Sequence, residues 1–213
     1  MALFQQKKPD VVSSAPLYTL SMSRTFLVVG LGNVGKDFDN TRHNIGFRAI
    51  DQFAHDHDMG SWINKKDMNC LVNDKNIGDT KVYLVKPTTM MNLSGNAVQK
   101  ISNFYKISNA KIIVVHDELD INFGSIKITM GGSSAGHNGI KSIISNLGED
   151  FGRIRIGVGP KTPDQIDSAD FVLGRFNKEE EGEMKSLLNE ASSLITEAIF
   201  SSPFPNETRK FII

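Results

Sequence analysis

The sequence predicts an α/β fold, a single-domain sandwich of helices around a mixed, largely parallel β-sheet. Two observations predict it. Short runs rich in β-branched residues alternate with segments of helical periodicity, the order that crossover connections between strands require. The chain's 213 residues suffice for one domain with a sizeable core, and no repeat or internal linker divides them.

Residues 1–22 lack clear periodicity and lack the apolar h-region of a signal peptide, so they read as a disordered leader to a domain at 23–213. TFLVVG (25–30) is a short buried strand ending in glycine. Ile45, Phe47, Ala49, Ile50 and Phe53 share one helical face. Met68–Val72 and Lys81–Val85 read as strands around a turn at Asn76–Asp79. Ala97, Val98, Ile101, Phe104 and Tyr105 follow helical spacing. KIIVVH (111–116) is the clearest strand, GSIKITM (124–130) alternates, and Ile140, Ile143, Ile144 and Leu147 mark a helix. A strand follows at Arg153–Val158, then a long amphipathic helix from Met184 to Ile199. The tail SSPFPNETRKFII suggests no function.

That order predicts a site. With helices crossing over between the strands at Thr25, Lys81 and Lys111, these strands run parallel and their C-terminal ends share an edge, where ligands of open α/β sheets bind. Polar clusters follow each of them: GLGNVGKDFDNTRHN, KPTTMMNLSGN and HDELD. A fourth, GGSSAGHNG, follows the strand at Ile126 and is expected at the same edge.

Composition narrows the function classes. The 24 basic and 24 acidic side chains cancel, which excludes a uniformly basic nucleic-acid coat protein and a polybasic membrane-surface protein. The cancellation is not uniform: residues 1–161 hold 19 basic and 14 acidic residues, and residues 162–213 hold 5 and 10. That split reads as either ordinary surface composition or a basic working face with an acidic helical tail. One Cys allows neither an internal disulfide nor a cysteine-based zinc cage and points to a reducing compartment. No apolar run is long enough to span a membrane.

The motifs carry alternatives. GLGNVG matches the dinucleotide fingerprint, but no helix opens at its glycines and the acid at the right distance, Asp51, sits inside a helix. The glycines then shape a tight turn that presents Asn33. His43, at a helix start, is either a solvated polar residue or a general base. Asp117 ends the KIIVVHD strand, either capping a turn or fixing an imidazole tautomer from behind. His116 points to the opposite face from Asp117. His43, His116, His137 and Asp117 match no metal-binding template. Cys70 reads as a buried, inert thiol, and no nucleophile elbow is present. A base without a protein nucleophile suggests attack by water. Asn33, Asn92 and Asn138 supply one amide per cluster, either as loop residues or as groups that orient a peptide or stabilise an oxyanion.

Taken together, VVGLGNVGKDFDNTRHNIGF, KPTTMMNLSGNAV, VVHDELD, GGSSAGHNGIKSII, RIRIGVGP and FVLGRF closely resemble the bacterial-type peptidyl-tRNA hydrolases, in order from about Thr25 to Phe176. The resemblance implies a monomeric enzyme that cleaves the ester between a peptide and the terminal ribose of tRNA, with neither metal nor cofactor, and the lack of a convincing transit peptide favours a bacterial cytoplasm. It implies His43 as the base that activates water, Asp117 behind it, and Asn33 as a sensor of the N-blocked substrate. Asn92 would bind the peptide or ester carbonyl and Asn138 the tRNA acceptor end. Phe38, Met90 and Met91 would line the groove, and Lys127 would meet phosphate. Lys141, Arg153 and Arg155 complete the expected basic groove. Val34, Phe38, Met90 and Thr129 depart from the usual Pro, Tyr, Phe and basic residue. The competing reading is a catalytically silent RNA-binding protein of splicing complexes on the same scaffold, which the intact His43–Asp117 pair disfavours.

Overall fold

The computed structural model describes residues 24–210. The expected leader at 1–22 lies outside them. The eight strands are β1 (Arg24–Gly30), β2 (Ile63–Lys65), β3 (Cys70–Ile77), β4 (Thr80–Pro87), β5 (Ile112–Asn122), β6 (Ser125–Met130), β7 (Gly152–Gly159) and β8 (Glu207–Lys210). They form one sheet in the order β2-β3-β4-β1-β5-β7-β6-β8. The centre, β4-β1-β5-β7, is parallel, and antiparallel strands flank it on both sides.

The five helices are α1 (Ile45–Asp56), α2 (Ser94–Tyr105), α3 (Asn138–Leu147), α4 (Ser168–Leu173) and α5 (Lys178–Phe200). Helices α1, α4 and α5 cover one face through Ile45, Phe53, Phe171, Leu187 and Ile195, and α2 with α3 covers the other through Ala97, Ile101, Ile140 and Ile143. The central strands are therefore buried on both sides, which is why TFLVVG and KIIVV read as continuous apolar runs rather than alternating ones. Helix α5 opens with a capping box between Asn177 and Glu180 and with three glutamates in its first turn, where carboxylates favour the helix dipole.

Two expectations about the sheet edge change. Asp117 does not end its strand: β5 continues to Asn122, with an irregularity against β7 between Glu118 and Asn122. Polar HDELD is strand because β7 pairs alongside it; pairing, not apolar pattern, holds it extended. The fourth polar cluster does not leave from the shared edge. Strand β6 is antiparallel, and its last residue, Met130, lies beside Gly152 at the start of β7, so residues 131–137 must run back along the sheet. The β3–β4 hairpin is also tighter than expected: Ile77 pairs with Thr80, and Gly78 at φ +61° makes the turn. Strands β2 and β8 and helix α4 give no sequence signal, being three, four and six residues long.

The first two glycines of GLGNVG, Gly30 and Gly32, serve packing, whereas Gly35 is exposed and takes a positive φ of +121°. The start of α1 sits directly on the ends of β1 and β5, and a methyl on Gly46 would overlap the Val115 and Leu31 carbonyl oxygens. A methyl on Gly32 would lie 2.7 Å from the Phe47 ring. No helix opens directly from these glycines in the chain, which passes through a loop and a short 3-10 turn, Arg42–Asn44, before α1. Helix position alone would make Gly→Ala favourable by about 1 kcal/mol, but backbone overlap costs about 1–3 kcal/mol. Gly46→Ala is therefore expected to destabilise, and Gly182→Ala, in α5 with nothing within 4 Å of its added methyl, to stabilise slightly. Urea unfolding of the two variants checks the opposite signs.

Candidate active site

The short turn Arg42–Asn44 supplies the first functional side chain, and its neighbours hold it rigidly. Arg42 is buried. Its guanidinium pairs with Glu180 at 2.7 Å, donates to the Arg175 carbonyl and stacks over the Phe171 ring at 4.3 Å. Asn44 grips the backbone of Asn33: its Oδ1 accepts from the Asn33 N–H at 2.8 Å, and its Nδ2 donates to the Asn33 carbonyl at 2.9 Å. Between them His43 turns its ring toward β5.

Asp117 receives that ring. The His43 Nδ1–H donates to Asp117 Oδ1 at 2.8 Å, and the same oxygen accepts from His137 Nε2 at 3.0 Å. His137 precedes α3 and caps it, its Nδ1 accepting from the Gly139 and Ile140 N–H groups at 3.1 and 3.2 Å. His116 lies beneath, fully buried, with Nδ1 donating to the Asp117 carbonyl at 2.7 Å and its ring edge-on to His137. It does not line the cleft, in keeping with its opposite orientation.

The loop that brings His137 back along the sheet is held by Arg153. This arginine is 1% exposed and donates to the Gly132 and Ser133 carbonyls, with its guanidinium over the Phe151 ring. Arg153 was expected on a basic groove; its burial corrects this. Burial also brings its guanidinium down to about 10. Arg155 donates to Thr129 Oγ1 at 3.0 Å, so the hydroxyl at position 129 holds a base rather than adding one.

These groups open onto a cleft of about 990 Å³. Asn33, His43, Met90, Met91, Asn92, Asp117 and Asn138 line it, joined by His137 and by a far wall from Pro160 to Leu173 built on α4. Met90 is largely exposed at the mouth, and Met91 is buried below it. Phe38 and Lys127 do not line this cleft: Phe38 sits on the outer loop, and Lys127 lies on β6 opposite Arg155. Sequence reasoning missed Asn44, Arg42 and the α4 wall, and weighed His137 only as a metal ligand. The adjacency of Arg42 and Asn44 to His43 in TRHN was the available signal.

Burial opposes charge on His43, but the Asp117 carboxylate at its Nδ1 outweighs this and raises the imidazole above its ordinary 6.5. Burial likewise opposes ionisation of Asp117, and the imidazoles of His43 and His137 overcome it, holding the carboxyl well below the usual range. Burial pushes Glu118 up and leaves His116 far below 6.5. Cys70, buried in β3, rises to about 11 and is inert. With Nδ1 of His43 committed to Asp117, Nε2 is the nitrogen left with a lone pair.

Among the described residues, His43, Asp117 and His137 alone group their donor atoms closely enough, within 4.8 Å, to suggest a metal. The hydrogen bonds argue against one. His137 Nδ1 accepts two backbone N–H groups, so its proton must sit on Nε2, the nitrogen a metal would need.

A sequence profile described as "Peptidyl-tRNA hydrolase" matches residues 27–211. The chain belongs to the peptidyl-tRNA hydrolase family. A family member from Clostridium botulinum (strain Eklund 17B / Type B) is 46% identical over 175 residues, 82% of this chain and 89% of that protein. Another, from Fusobacterium nucleatum subsp. nucleatum, is 45% identical over 81% of this chain and 88% of its own length. The crystal structure of peptidyl-tRNA hydrolase from Acinetobacter baumannii superposes with a TM-score of 0.76 at 36% identity, covering 84% of this chain and 90% of that one. The expected family and α/β fold are thus borne out.

For this peptidyl-tRNA hydrolase family member, the Asn44 clamp generates a prediction of its own. Asn44→Ala leaves the Asn33 N–H and carbonyl without these partners, at an expected cost of about 1–3 kcal/mol. Denaturant unfolding reads the loss, and faster hydrogen exchange at the Asn33 amide localises it.

Proposed function

We propose that the protein hydrolyses the ester between the peptide and the 3′-terminal ribose of peptidyl-tRNA, with water as the nucleophile. One observation carries this reading: His43, backed by Asp117, presents an unoccupied Nε2 to a cleft lined by amides. Among the described residues no hydroxyl or thiol is hydrogen-bonded to His43, and Ser168 of the cleft wall is 3.4 Å from Lys161 instead.

In the first step His43 Nε2 takes a proton from water as the oxygen attacks the ester carbonyl carbon. The negative charge on the carbonyl oxygen is met by amide donors, for which Asn92 on the near rim is suited. The tetrahedral intermediate then collapses, the bond to the ribose oxygen breaks, and the His43 imidazolium returns the proton to that oxygen. Free tRNA and a peptide carboxylic acid leave, the acid then ionising in solution. Asp117 remains a carboxylate throughout, fixing the tautomer and stabilising the imidazolium.

The other roles follow the cleft. Asn33, fixed by Asn44, meets the blocked α-nitrogen; Asn138, exposed at the start of α3, meets the acceptor end; Met90 and Met91 give the peptide and terminal nucleotide an apolar wall. Phe38 and Lys127 lie outside the cleft and would act further along the RNA, Lys127 beside Arg155 on phosphate, with the salt dependence such contacts bring. On this reading the protein works as a monomer in the cytoplasm, with neither metal nor cofactor. No helix among the described residues is long and apolar enough to cross a membrane.

Hydrolysis of N-acetyl-aminoacyl-tRNA tests the reading. His43→Ala is expected to lower kcat about 10²–10⁴-fold, and full activity would sink it. Because His43 acts as the free base and is raised above 6.5, kcat/KM should fall as pH drops through that raised value. Asp117→Asn removes the group that raises it, so burial acts unopposed and the acid limb should move to lower pH with a reduced plateau. EDTA should leave the rate unchanged; a large loss would restore a metal to consideration. No release by the wild type would favour the silent RNA-binding alternative.

A further inference from the structure

We propose that His137 is a positioning residue that sets the strength of the His43 base through the carboxylate oxygen they share. The inference rests on the reading of His43 as general base and goes beyond it.

The argument begins with protons. Two backbone N–H groups, from Gly139 and Ile140, point at His137 Nδ1. A nitrogen that accepts must keep its lone pair, so the ring's single proton lies on Nε2 and is donated to Asp117 Oδ1. His137 is thereby oriented with Nε2 as its donor to Asp117, its ring 4.9 Å between centroids from that of His43, whereas His43 must exchange a proton at Nε2 in every turnover.

Both donors bind one oxygen, Oδ1. Each hydrogen bond to a carboxylate withdraws electron density and makes it a weaker acceptor for the next. His137 therefore keeps Asp117 ionised in its buried position and moderates how strongly that carboxylate holds the imidazolium of His43. Without His137, Asp117 would pull harder on His43, which would hold its proton to higher pH and lose fraction as free base. With the donor present, the base is poised to accept a proton from water and to return it to the leaving oxygen.

The surrounding charges do not substitute for this contact. From β5, His116 is spent on the Asp117 carbonyl, and Glu118 is the neighbouring acid. From β7, Arg153 is committed to the loop carbonyls and Arg155 to Thr129. Arg42, on the His43 turn, is paired with Glu180 of α5. Lys161, Asp164 and Asp167 stand on the far wall, with Asp167 capping α4. Among the described residues, only His43 and His137 donate to the Asp117 carboxylate.

The test is the pH dependence of kcat/KM on N-acetyl-aminoacyl-tRNA for wild type and His137→Asn. Asparagine is among the best helix N-caps and keeps α3 closed, but it is too short to carry a donor to Asp117. The acid limb is expected to move up by about 0.5–1 pH unit, with NMR titration of the His43 ring moving in parallel. A lowered plateau with an unmoved limb would make His137 a cap alone and overturn the proposal. A second measurement needs no variant: ¹⁵N shifts of the wild-type imidazoles at neutral pH should show His137 protonated at Nε2 only, and the opposite tautomer would overturn it. Failure of the underlying reading looks different, because His43→Ala would then retain activity and the wild type would lack a His43-dependent limb.

Discussion

A carboxylate buried in the middle of a sheet is the constraint around which this molecule is arranged. Asp117 is 2% exposed on a central strand, and an isolated ionised carboxylate there would be strongly unfavourable. It survives as an anion because two imidazoles reach the same carboxylate oxygen. One arrives on the turn that opens α1, and the other arrives on the loop that opens α3. The carboxylate thus needs both helix heads in place, and both heads carry cleft residues.

Each arrival is secured by an arginine that never meets the cleft. Arg42 ties the His43 turn to α5 and to the rings of Phe171 in α4 and Phe176 after it, so the far wall and His43 share an anchor. Arg153 gathers the carbonyls of a loop that must run back along the sheet from β6. The terminal nitrogens of these buried guanidinium groups meet backbone oxygens and one carboxylate and their planes meet aromatic faces, while the Nε of each has no partner; the use suits the planar, weakly hydrated head of arginine over lysine. Gly46 completes the seating, since the α1 helix can lie on the strand ends only without a side chain at that point.

The cleft residues were more legible in the sequence than the scaffolding that places them. His43, Asp117 and the three asparagines were legible because polar clusters directly after apolar strands are conspicuous, and because the order of strands brings three of them to one edge. The extent of β5 was not legible: HDELDIN has the composition of a loop, and only the ladder with β7 makes it strand. The route of the fourth cluster depended on the direction of β6, which alternation cannot reveal. Arg153 read as a surface base because a buried arginine and an exposed one look alike in a strand pattern. His137 was seen as one histidine among several, since its two roles depend on which nitrogen faces a helix start and which faces Asp117. Short exposed elements such as β2 and β8 carry no apolar period at all.

Charge gives the last step. The acidic excess after residue 161 is not simply a compensating tail. Glu180 and Glu181 of α5 neutralise Arg42 and Arg48 of the first segment, while Glu190, Glu197 and Glu207 converge on Arg209 to pin β8. Arg153 is likewise withdrawn from the surface. The basic residues left free of such duties are fewer than the count suggests, and Lys127 and Arg155 stand away from the cleft on the β6–β7 part of the sheet. The cleft wall itself carries Glu118, Asp120, Asp164 and Asp167 against a single Lys161. A polyanion cannot lie comfortably along that wall. Positive charge outside the cleft, not this wall, is where a chain of phosphates would find its counter-charge.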